Sequence, residues 1–311
     1  MSLLSNFLGG IAILPKMKTY HAILIGNGTM GTRHRSRFES RGVHFLHTLD
    51  LADLPSFDIA EDVFRNILSR SSIDFVVIAS PAVTHYRYVA FFLKNRISVF
   101  VEKPLALNAD EADTLLELSC RYKCLLFVAH SECYNPIFLR FRHRFLRHPQ
   151  TNDIQSVRLS FRREHPYSKR CRDVGVALDL LVHDLSLFLT LFSFGNTQIQ
   201  HFEFSEDAAK LSLVWKKDSL PRIVADFWAD RDSQVDARTI TVQMESGEKT
   251  ETQEVSLAQY QSNGEILHIP DSLDNEQKFF LKLLGGSFST WALKAAQIAR
   301  NVVFLATLPR K

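Results

Sequence analysis

The segment HAILIGNGTMG, residues 21–31, decides the fold. Its first five residues form an almost unbroken apolar run, which is typical of a strand buried on both faces of a parallel sheet. The G-x-G-x-x-G pattern that follows predicts a tight turn into a helix. Gly26 permits the turn, Gly28 lets a pyrophosphate approach the backbone, and Gly31 lets the helix pack against the strand. The sequence therefore predicts a dinucleotide site, formed by Gly26, Asn27, Gly28, Thr29, Met30 and Gly31.

An acidic residue lies about 20 residues beyond this turn, as the dinucleotide motif requires. Asp50 ends the predicted second strand, 43–49, where a carboxylate accepts hydrogen bonds from the adenosine ribose. A carboxylate repels a 2′-phosphate, so Asp50 favours NAD over NADP. Asp53 is a second candidate for this role. Arg33 and Arg35 lie close enough to accommodate a phosphate, so NADP stays possible.

Strands and helices alternate outward from this turn. Strands are predicted over 74–80, 97–101 and 124–129, and helices over 32–40, 86–95 and 110–121. Apolar strands separated by helices are typical of a parallel sheet covered on both faces. We therefore predict a doubly wound α/β Rossmann domain over residues 17–134. Met17 is a candidate start, so residues 1–16 are expected to be an N-terminal extension.

The pattern changes after residue 135. Helices are predicted over 136–147, 176–192, 274–284 and 290–308, and strands over 154–161, 199–204, 209–215, 222–228, 239–244 and 250–255. Successive strands with little helix between them indicate a largely antiparallel sheet. Residues 135–311 are thus predicted to form an α+β substrate and oligomerisation domain with an open sheet. Its terminal helix is expected to be able to pack back on the first domain.

Composition excludes several classes of protein. A net charge of +3 is too small to indicate a nucleic-acid-binding face. No apolar run reaches the roughly 18–20 residues of a membrane helix. The four cysteines form no C-x-x-C pair, which argues against a zinc ribbon and favours reduced thiols in a cytoplasmic protein. No cluster has spacing that demands a metal, so no metal site is predicted.

Two segments leave neighbouring strands at the edge where ligands bind in such sheets. Ser80-Pro81 and the nearby His85 follow one strand, and Glu102-Lys103-Pro104 follows the next. Lys103 is therefore expected to face the nicotinamide. Downstream, Asp179 and His183 stand four residues apart in an apolar helical segment, GVALDLLVHD, so they share one face. Because the rest of this helix is apolar, the shared face of Asp179 and His183 is expected to point toward a polar group.

Together these segments resemble the glucose–fructose oxidoreductase, inositol dehydrogenase and rhizopine-catabolism (Gfo/Idh/MocA) family. The resemblance covers nearly the whole chain from Met17. It rests on GNGTMG followed by His34, VVIASPAVTH, VEKPLALN, AHSECYNP and GVALDLLVHD, in that order.

The resemblance implies hydride transfer between a nicotinamide and a carbinol or ketone of a sugar, sugar acid, cyclitol or nucleotide sugar. It implies that Lys103 orients the reacting hydroxyl, that His183 is the general base and that Asp179 positions the substrate or tunes the base. It also implies that Glu102 supports the cofactor and that the Lys103–Pro104 peptide is cis. Ser80, Pro81, His85, Glu102 and Lys103 therefore join the predicted cofactor-binding residues. A homodimer or homotetramer is expected by the same likeness.

The residues that differ from the family pattern lie in segments expected to face the substrate. Only Gly175 precedes the Asp179 helix, and Cys133 stands where an arginine is common. A basic segment, FRREHPYSKRCR at 161–172, is either an anion pocket or a solvated loop. Two other functions stay open: a dinucleotide-binding sensor or scaffold without catalysis, and a reductase of a non-sugar substrate.

Overall fold

The computed structural model describes residues 19–147, 154–166, 173–218, 220–258, 261–262, 265–266, 271–286 and 289–309. The expected extension over residues 1–16 lies outside this part of the chain. Among the described residues, no helix has both the length and the apolar character needed to cross a membrane.

A five-stranded sheet with every strand parallel forms the first half of the fold, with strand order β2-β1-β3-β4-β5. The elements of this half are β1 (Tyr20–Ile25), α1 (Thr29–Glu39), β2 (Val43–Leu49), α2 (Phe57–Arg70), β3 (Phe75–Ile78), α3 (Ala82–Lys94), β4 (Ser98–Glu102), α4 (Ala109–Tyr122) and β5 (Leu126–Ala129). The strand order changes direction between β1 and β3, which is where ligands bind in doubly wound sheets. The predicted Rossmann-type sheet is confirmed.

Two apolar layers cover this sheet. Ile23 and Ile25 of β1 face a core shared with α2, α3 and α4. Ala22 and Leu24, which alternate with them, face a second core rich in phenylalanine. A strand that buries both faces needs apolar residues throughout, which explains the continuous run in the sequence.

Helix α2 is not predicted by the sequence pattern, which assigns no element to residues 50–73. Its signals are present: the Ser56 hydroxyl accepts a hydrogen bond from Ile59 N at 3.3 Å, and Asp58 lies in the first turn. Ala60, Phe64 and Ile67 are buried at helical spacing. Helix α1 also begins earlier than predicted, at Thr29, so that the second half of the glycine motif lies in its first turn.

The second half holds a six-stranded sheet of order β11-β10-β6-β9-β8-β7, antiparallel except between β6 and β9. Its elements are α5 (Pro136–Arg147), β6 (Ser156–Glu164), α6 (Val182–Leu191), β7 (Thr197–Phe204), β8 (Ala208–Trp215), β9 (Arg222–Asp230), β10 (Ala237–Ser246), β11 (Lys249–Ser256), the two-residue strands β12 (Gln261–Ser262) and β13 (Glu265–Ile266), α7 (Ser272–Leu284) and α8 (Thr290–Ala306). This confirms the predicted α+β arrangement with a mostly antiparallel sheet.

The last two helices both pack against the first half, and α8 also packs against the second. Phe280 of α7 joins the phenylalanine-rich core of the first sheet. In α8, Ala299 and Val303 lie in the other core of that sheet, while Val302 and Leu305 lie in the core of the second sheet. Helix α8 is therefore a structural element of both halves.

Candidate active site

The glycine turn joins β1 to α1 with little room for side chains. Gly26 has φ of +93°, and a Cβ there would lie 2.5 Å from the carbonyl carbon of Ala79. A Cβ at Gly31 would lie 1.8 Å from the carbonyl oxygen of Gly26. Both glycines are therefore required by the fold itself.

Gly28 differs, because a Cβ there would meet no atom of the described residues within 4 Å. It precedes the first residue of α1, and no described side chain caps this helix N-terminus with a hydrogen bond. Asn27, Gly28 and Thr29 are exposed, and Met30 is half-buried. An exposed, uncapped helix N-terminus beside a glycine fits a pyrophosphate, since backbone N–H groups and the helix dipole attract the anion.

This contrast predicts different outcomes for two alanine substitutions. Gly28→Ala should keep the melting temperature of the protein, since its φ of −72° is open to any residue. It should weaken NADH binding at least about tenfold, because the new methyl group occupies the phosphate position. Gly31→Ala should both weaken NADH binding and lower the melting temperature. Differential scanning fluorimetry and NADH fluorescence titration measure the two effects, and unchanged NADH affinity in Gly28→Ala would contradict the assignment.

Asp50 lies beside the glycine turn. Gly26 N donates to Leu49 O at 2.8 Å, which joins the end of β2 to the turn. Asp50 is exposed, and its Oδ1 accepts from Leu51 N at 2.8 Å. Asp53 accepts the backbone N–H of Asp50 at 2.8 Å, so this second candidate shapes the turn that presents Asp50.

His85 ties together the ends of β3 and β4. It lies in the first turn of α3, with its ring between Ser80 O at 2.9 Å and Pro104 O at 2.7 Å. Burial lowers the pKa of His85, against the effect of these two carbonyl groups. Pro81 directly precedes α3, whose first N–H, that of Ala82, donates to Asp173 at 3.2 Å. His85 therefore holds the Ser80-Pro81 and Lys103-Pro104 segments next to each other.

Glu102 contacts a histidine from the dinucleotide helix. His34 on α1 is fully buried, and its Nε2 lies 2.6 Å from Glu102 Oε1. Gln277 of α7 donates to His34 Nδ1 at 3.0 Å. Burial raises the pKa of Glu102, but the His34 hydrogen bond and the nearby charges outweigh it and leave that pKa below its ordinary value. The sequence flagged His34 only as part of a motif, and the structure shows which carboxylate it binds.

Lys103 joins the two halves of the molecule. The Lys103–Pro104 peptide is cis, as expected. The Lys103 ammonium donates to Asp179 O and to Asp179 Oδ1, both at 2.8 Å. Arg231 lies 3.8 Å from the other carboxylate oxygen of Asp179. The two residues that sequence spacing placed in separate segments are thus in direct contact.

His183 lies one turn beyond Asp179. Residues Ala177–Leu181 form a single π-helical turn that leads into α6, where a regular α-helix was predicted. Such insertions are frequent at functional sites. The buried His183 Nδ1 has no hydrogen-bond partner among the described residues. Burial lowers the pKa of His183 well below its ordinary value, and the charges of Lys103 and Arg163 lower it further.

A buried ion-pair network supports the His183 helix. Arg163 on β6 donates to Asp184 at 2.8 Å and to Glu132 at 3.1 Å, and all three side chains are nearly inaccessible. Arg162, in contrast, is exposed and pairs with Glu164 at 2.9 Å. Arg163 therefore belongs to the buried network, whereas Arg162 lies on the exposed face of β6. The remaining basic residues of the segment over 167–172 lie outside the described part of the chain.

His130 also lies here, a residue that the sequence allows to be either a contact with cofactor or substrate or a satisfied structural histidine. His130 follows β5 directly, and β5 pairs with β4 so that Ala129 lies beside Glu102. His130 is 6% exposed, and neither of its ring nitrogens has a hydrogen-bond partner among the described residues. Burial lowers its pKa to about 4. Among described residues, no group of three or more His, Cys, Asp or Glu is arranged to hold a metal ion.

Comparison with known proteins matches residues 21–130 to the family model described as "Oxidoreductase family, NAD-binding Rossmann fold". UDP-N-acetylglucosamine 3-dehydrogenase of Acidithiobacillus ferrooxidans is 24% identical over 173 residues, covering 53% of each chain. The scyllo-inositol 2-dehydrogenase (NADP(+)) IolW of Bacillus subtilis is 25% identical, covering 45% of this chain and 40% of its own. These alignments thus span about half or less of the curated relatives' lengths.

The fold extends the likeness to nearly the whole chain. A solved 3-ketoreductase from Actinomadura kijaniata, in complex with TDP-benzene and NADP, superposes with a TM-score of 0.67. It is 14% identical and the match covers 93% of this chain and 96% of that one. Residues 21–130 thus match the NAD-binding domain of the Gfo/Idh/MocA oxidoreductase family. Over nearly the whole chain, the fold is similar to that of the solved 3-ketoreductase.

Proposed function

We propose that this protein is an NAD(P)-dependent oxidoreductase that interconverts a carbinol and a ketone on a carbohydrate-like small molecule. The observation that carries the proposal is the contact of Lys103 with Asp179. It links the cofactor-side end of β4 to the helical segment that bears His183. An ammonium, a carboxylate and an imidazole thereby lie together beyond the carboxyl edge of the parallel sheet.

The residues divide the chemistry between them. A bound nicotinamide supplies the hydride acceptor or donor. His183 takes the hydroxyl proton as the carbinol is oxidised and returns it in the reverse direction. Two Lys103 Nζ–H groups donate to Asp179, and the third donates to the reacting oxygen, where it stabilises negative charge. Asp179 holds the ammonium in place, so it acts through Lys103.

The low pKa of His183 has a measurable consequence. A general base works only when deprotonated, so kcat/KM should fall as the pH drops through the pKa of His183. That pKa lies below 6.5, and the acid limb of the profile should therefore lie below pH 6.5. Steady-state rates from pH 4 upward, with His183→Ala as the comparison, would measure it. An acid limb centred at or above 6.5 would contradict the assignment.

We propose NAD as the preferred cofactor, on the position of Asp50. Asp50→Ala should weaken NAD binding more than about tenfold, since hydrogen bonds to a charged group contribute roughly 1.5–3 kcal/mol. NADP binding should change less, because the carboxylate that repels the 2′-phosphate is also gone. Asp58→Ala, an exposed carboxylate on α2, is the matched control. Equal weakening of both cofactors would contradict the ribose assignment.

The substrate class rests on the relatives, which are named as dehydrogenases of UDP-N-acetylglucosamine and of inositols. The decisive experiment is a thermal-shift screen of NAD(H) and NADP(H), each with sugars, sugar acids, cyclitols and nucleotide sugars. Nicotinamide absorbance then tests each combination that stabilises the protein. We expect both stabilisation and turnover. Dinucleotide binding without turnover of any of these compounds would favour the non-catalytic sensor instead.

We also propose a cytoplasmic homodimer or homotetramer. The open second sheet offers its outer face for association, where the half-buried Trp228 lies beside Lys210. Three free thiols among the described residues fit a reducing compartment. A monomer by light scattering at low concentration would exclude the assembly.

A further inference from the structure

His130 occupies an unusual position for a buried histidine. Its side chain follows β5 at the same edge of the sheet from which Lys103 leaves β4. Both of its ring nitrogens are buried without a hydrogen-bond partner in the described part of the chain. Buried polar atoms are nearly always hydrogen-bonded, because an unmade bond costs about 1–3 kcal/mol. Two orphaned nitrogens on one ring therefore point to a ligand.

The neighbours of His130 are groups of the proposed active site. Its charge environment is set by Glu102 and Lys103, and His130 in turn acts on His183. His183 also carries a buried nitrogen without a described partner. Two imidazoles and one ammonium, each with hydrogen-bonding capacity left over, thus lie near the space beyond this edge of the sheet.

The chemistry of that space selects the ligand. With a pKa of about 4, His130 is a neutral ring at physiological pH, and it offers one N–H donor and one acceptor nitrogen. A hydroxyl group both donates and accepts, so it matches such a ring. The cations here already face carboxylates: Lys103 faces Asp179 at 2.8 Å and Arg163 faces Asp184 at 2.8 Å. Among the described residues, the cations that act on His183 are Lys103, Arg163 and Arg238, and each already faces a carboxylate. None of these three is left over for a carboxylate or phosphate next to the reacting carbon.

We propose that His130 contacts the substrate, binding the hydroxyl group adjacent to the reacting carbinol, so that the protein recognises an uncharged vicinal diol. This inference rests on the proposed function and adds a substrate contact to it. Lys103 and His183 hold the oxygen that reacts, and His130 holds its neighbour. A ligand that lacks the second hydroxyl would leave the buried imidazole unpaired, which disfavours its binding.

Binding measurements test the proposal without requiring turnover. Myo-inositol and UDP-N-acetylglucosamine are titrated by calorimetry into protein saturated with NADH. His130→Phe keeps a flat ring but has no ring nitrogen, and it should weaken binding of the better probe at least about tenfold. His130→Gln keeps a donor and an acceptor and should restore part of the affinity. His130→Leu repeats the comparison with a smaller side chain.

NADH affinity distinguishes a substrate contact of His130 from a contact with the cofactor or a role in the fold. In all three variants it should stay within about twofold of the wild type, as it should in the control His143→Phe on the exposed face of α5. Equal loss of NADH and polyol affinity would overturn the proposal, since His130 would then contact the cofactor or support the fold. So would unchanged polyol affinity in His130→Phe, or a wild type that binds NADH but neither polyol. Failure of the proposed function is read separately, from nicotinamide absorbance: wild-type protein that binds NADH and a polyol without hydride transfer would contradict the oxidoreductase and leave the His130 contact standing.

Discussion

Lys103→Ala is expected to lower kcat by at least about 100-fold, the scale of losing one charge-stabilising donor at a reaction centre. The substitution removes the ammonium that donates to both Asp179 O and Asp179 Oδ1. It also removes the third N–H assigned to the reacting oxygen. NADH should still bind, because the glycine turn and Asp50 lie on other strands. Stopped-flow turnover and NADH fluorescence titration give the two quantities.

Lys94→Ala is the control for this substitution, because Lys94 is exposed at the end of α3. It should leave both kcat and NADH affinity unchanged. Full turnover in Lys103→Ala would remove the lysine from the mechanism. A parallel loss of NADH affinity would instead assign Lys103 mainly to the cofactor.

Arg163→Met is expected to lower the free energy of unfolding by about 3–5 kcal/mol, the range for removing one partner of a buried ion pair. The cause is that Asp184 and Glu132 would remain buried without their shared cation. The adjacent Arg162 on the same strand is the matched control. Its side chain is 55% exposed, against 5% for Arg163. Arg162→Met should therefore cost less than about 1 kcal/mol.

Urea titration followed by circular dichroism compares the two variants. Equal losses would show that the buried network contributes no more than a surface pair. Activity provides a second measure, because Asp184 directly follows His183 in the chain. Arg163→Met should also reduce turnover at temperatures where it remains folded, since the helix that carries His183 loses its anchor on β6.

Local sequence patterns predicted most of the elements, because burial on a strand or helix face leaves a periodic signal. They missed α2, whose apolar positions are separated by exposed polar ones and follow an irregular turn. They also could not predict the π turn before His183, since almost every residue of this segment is apolar and a shift in the phase of the pattern is therefore not visible.

Among the site residues, too, local features could be predicted from the sequence and long-range contacts could not. Gly26, Gly28 and Gly31 act through backbone geometry within one turn, so their spacing is informative. The contacts of Glu102 with His34 and of Lys103 with Asp179 join residues far apart in sequence, and no local pattern encodes such pairs. The position of His130 at the end of a strand allowed two interpretations, a contact with cofactor or substrate and a satisfied structural histidine, and the sequence alone does not choose between them.

The placement of α7 and α8 also affects how the protein is made. Both helices cover faces of the first sheet, yet the ribosome synthesises them after every strand of the second sheet. The nascent Rossmann half therefore emerges with apolar surface that its own segments cannot cover. Chaperone binding during translation is the expected consequence, since N-terminal units generally fold first and exposed apolar surface favours aggregation.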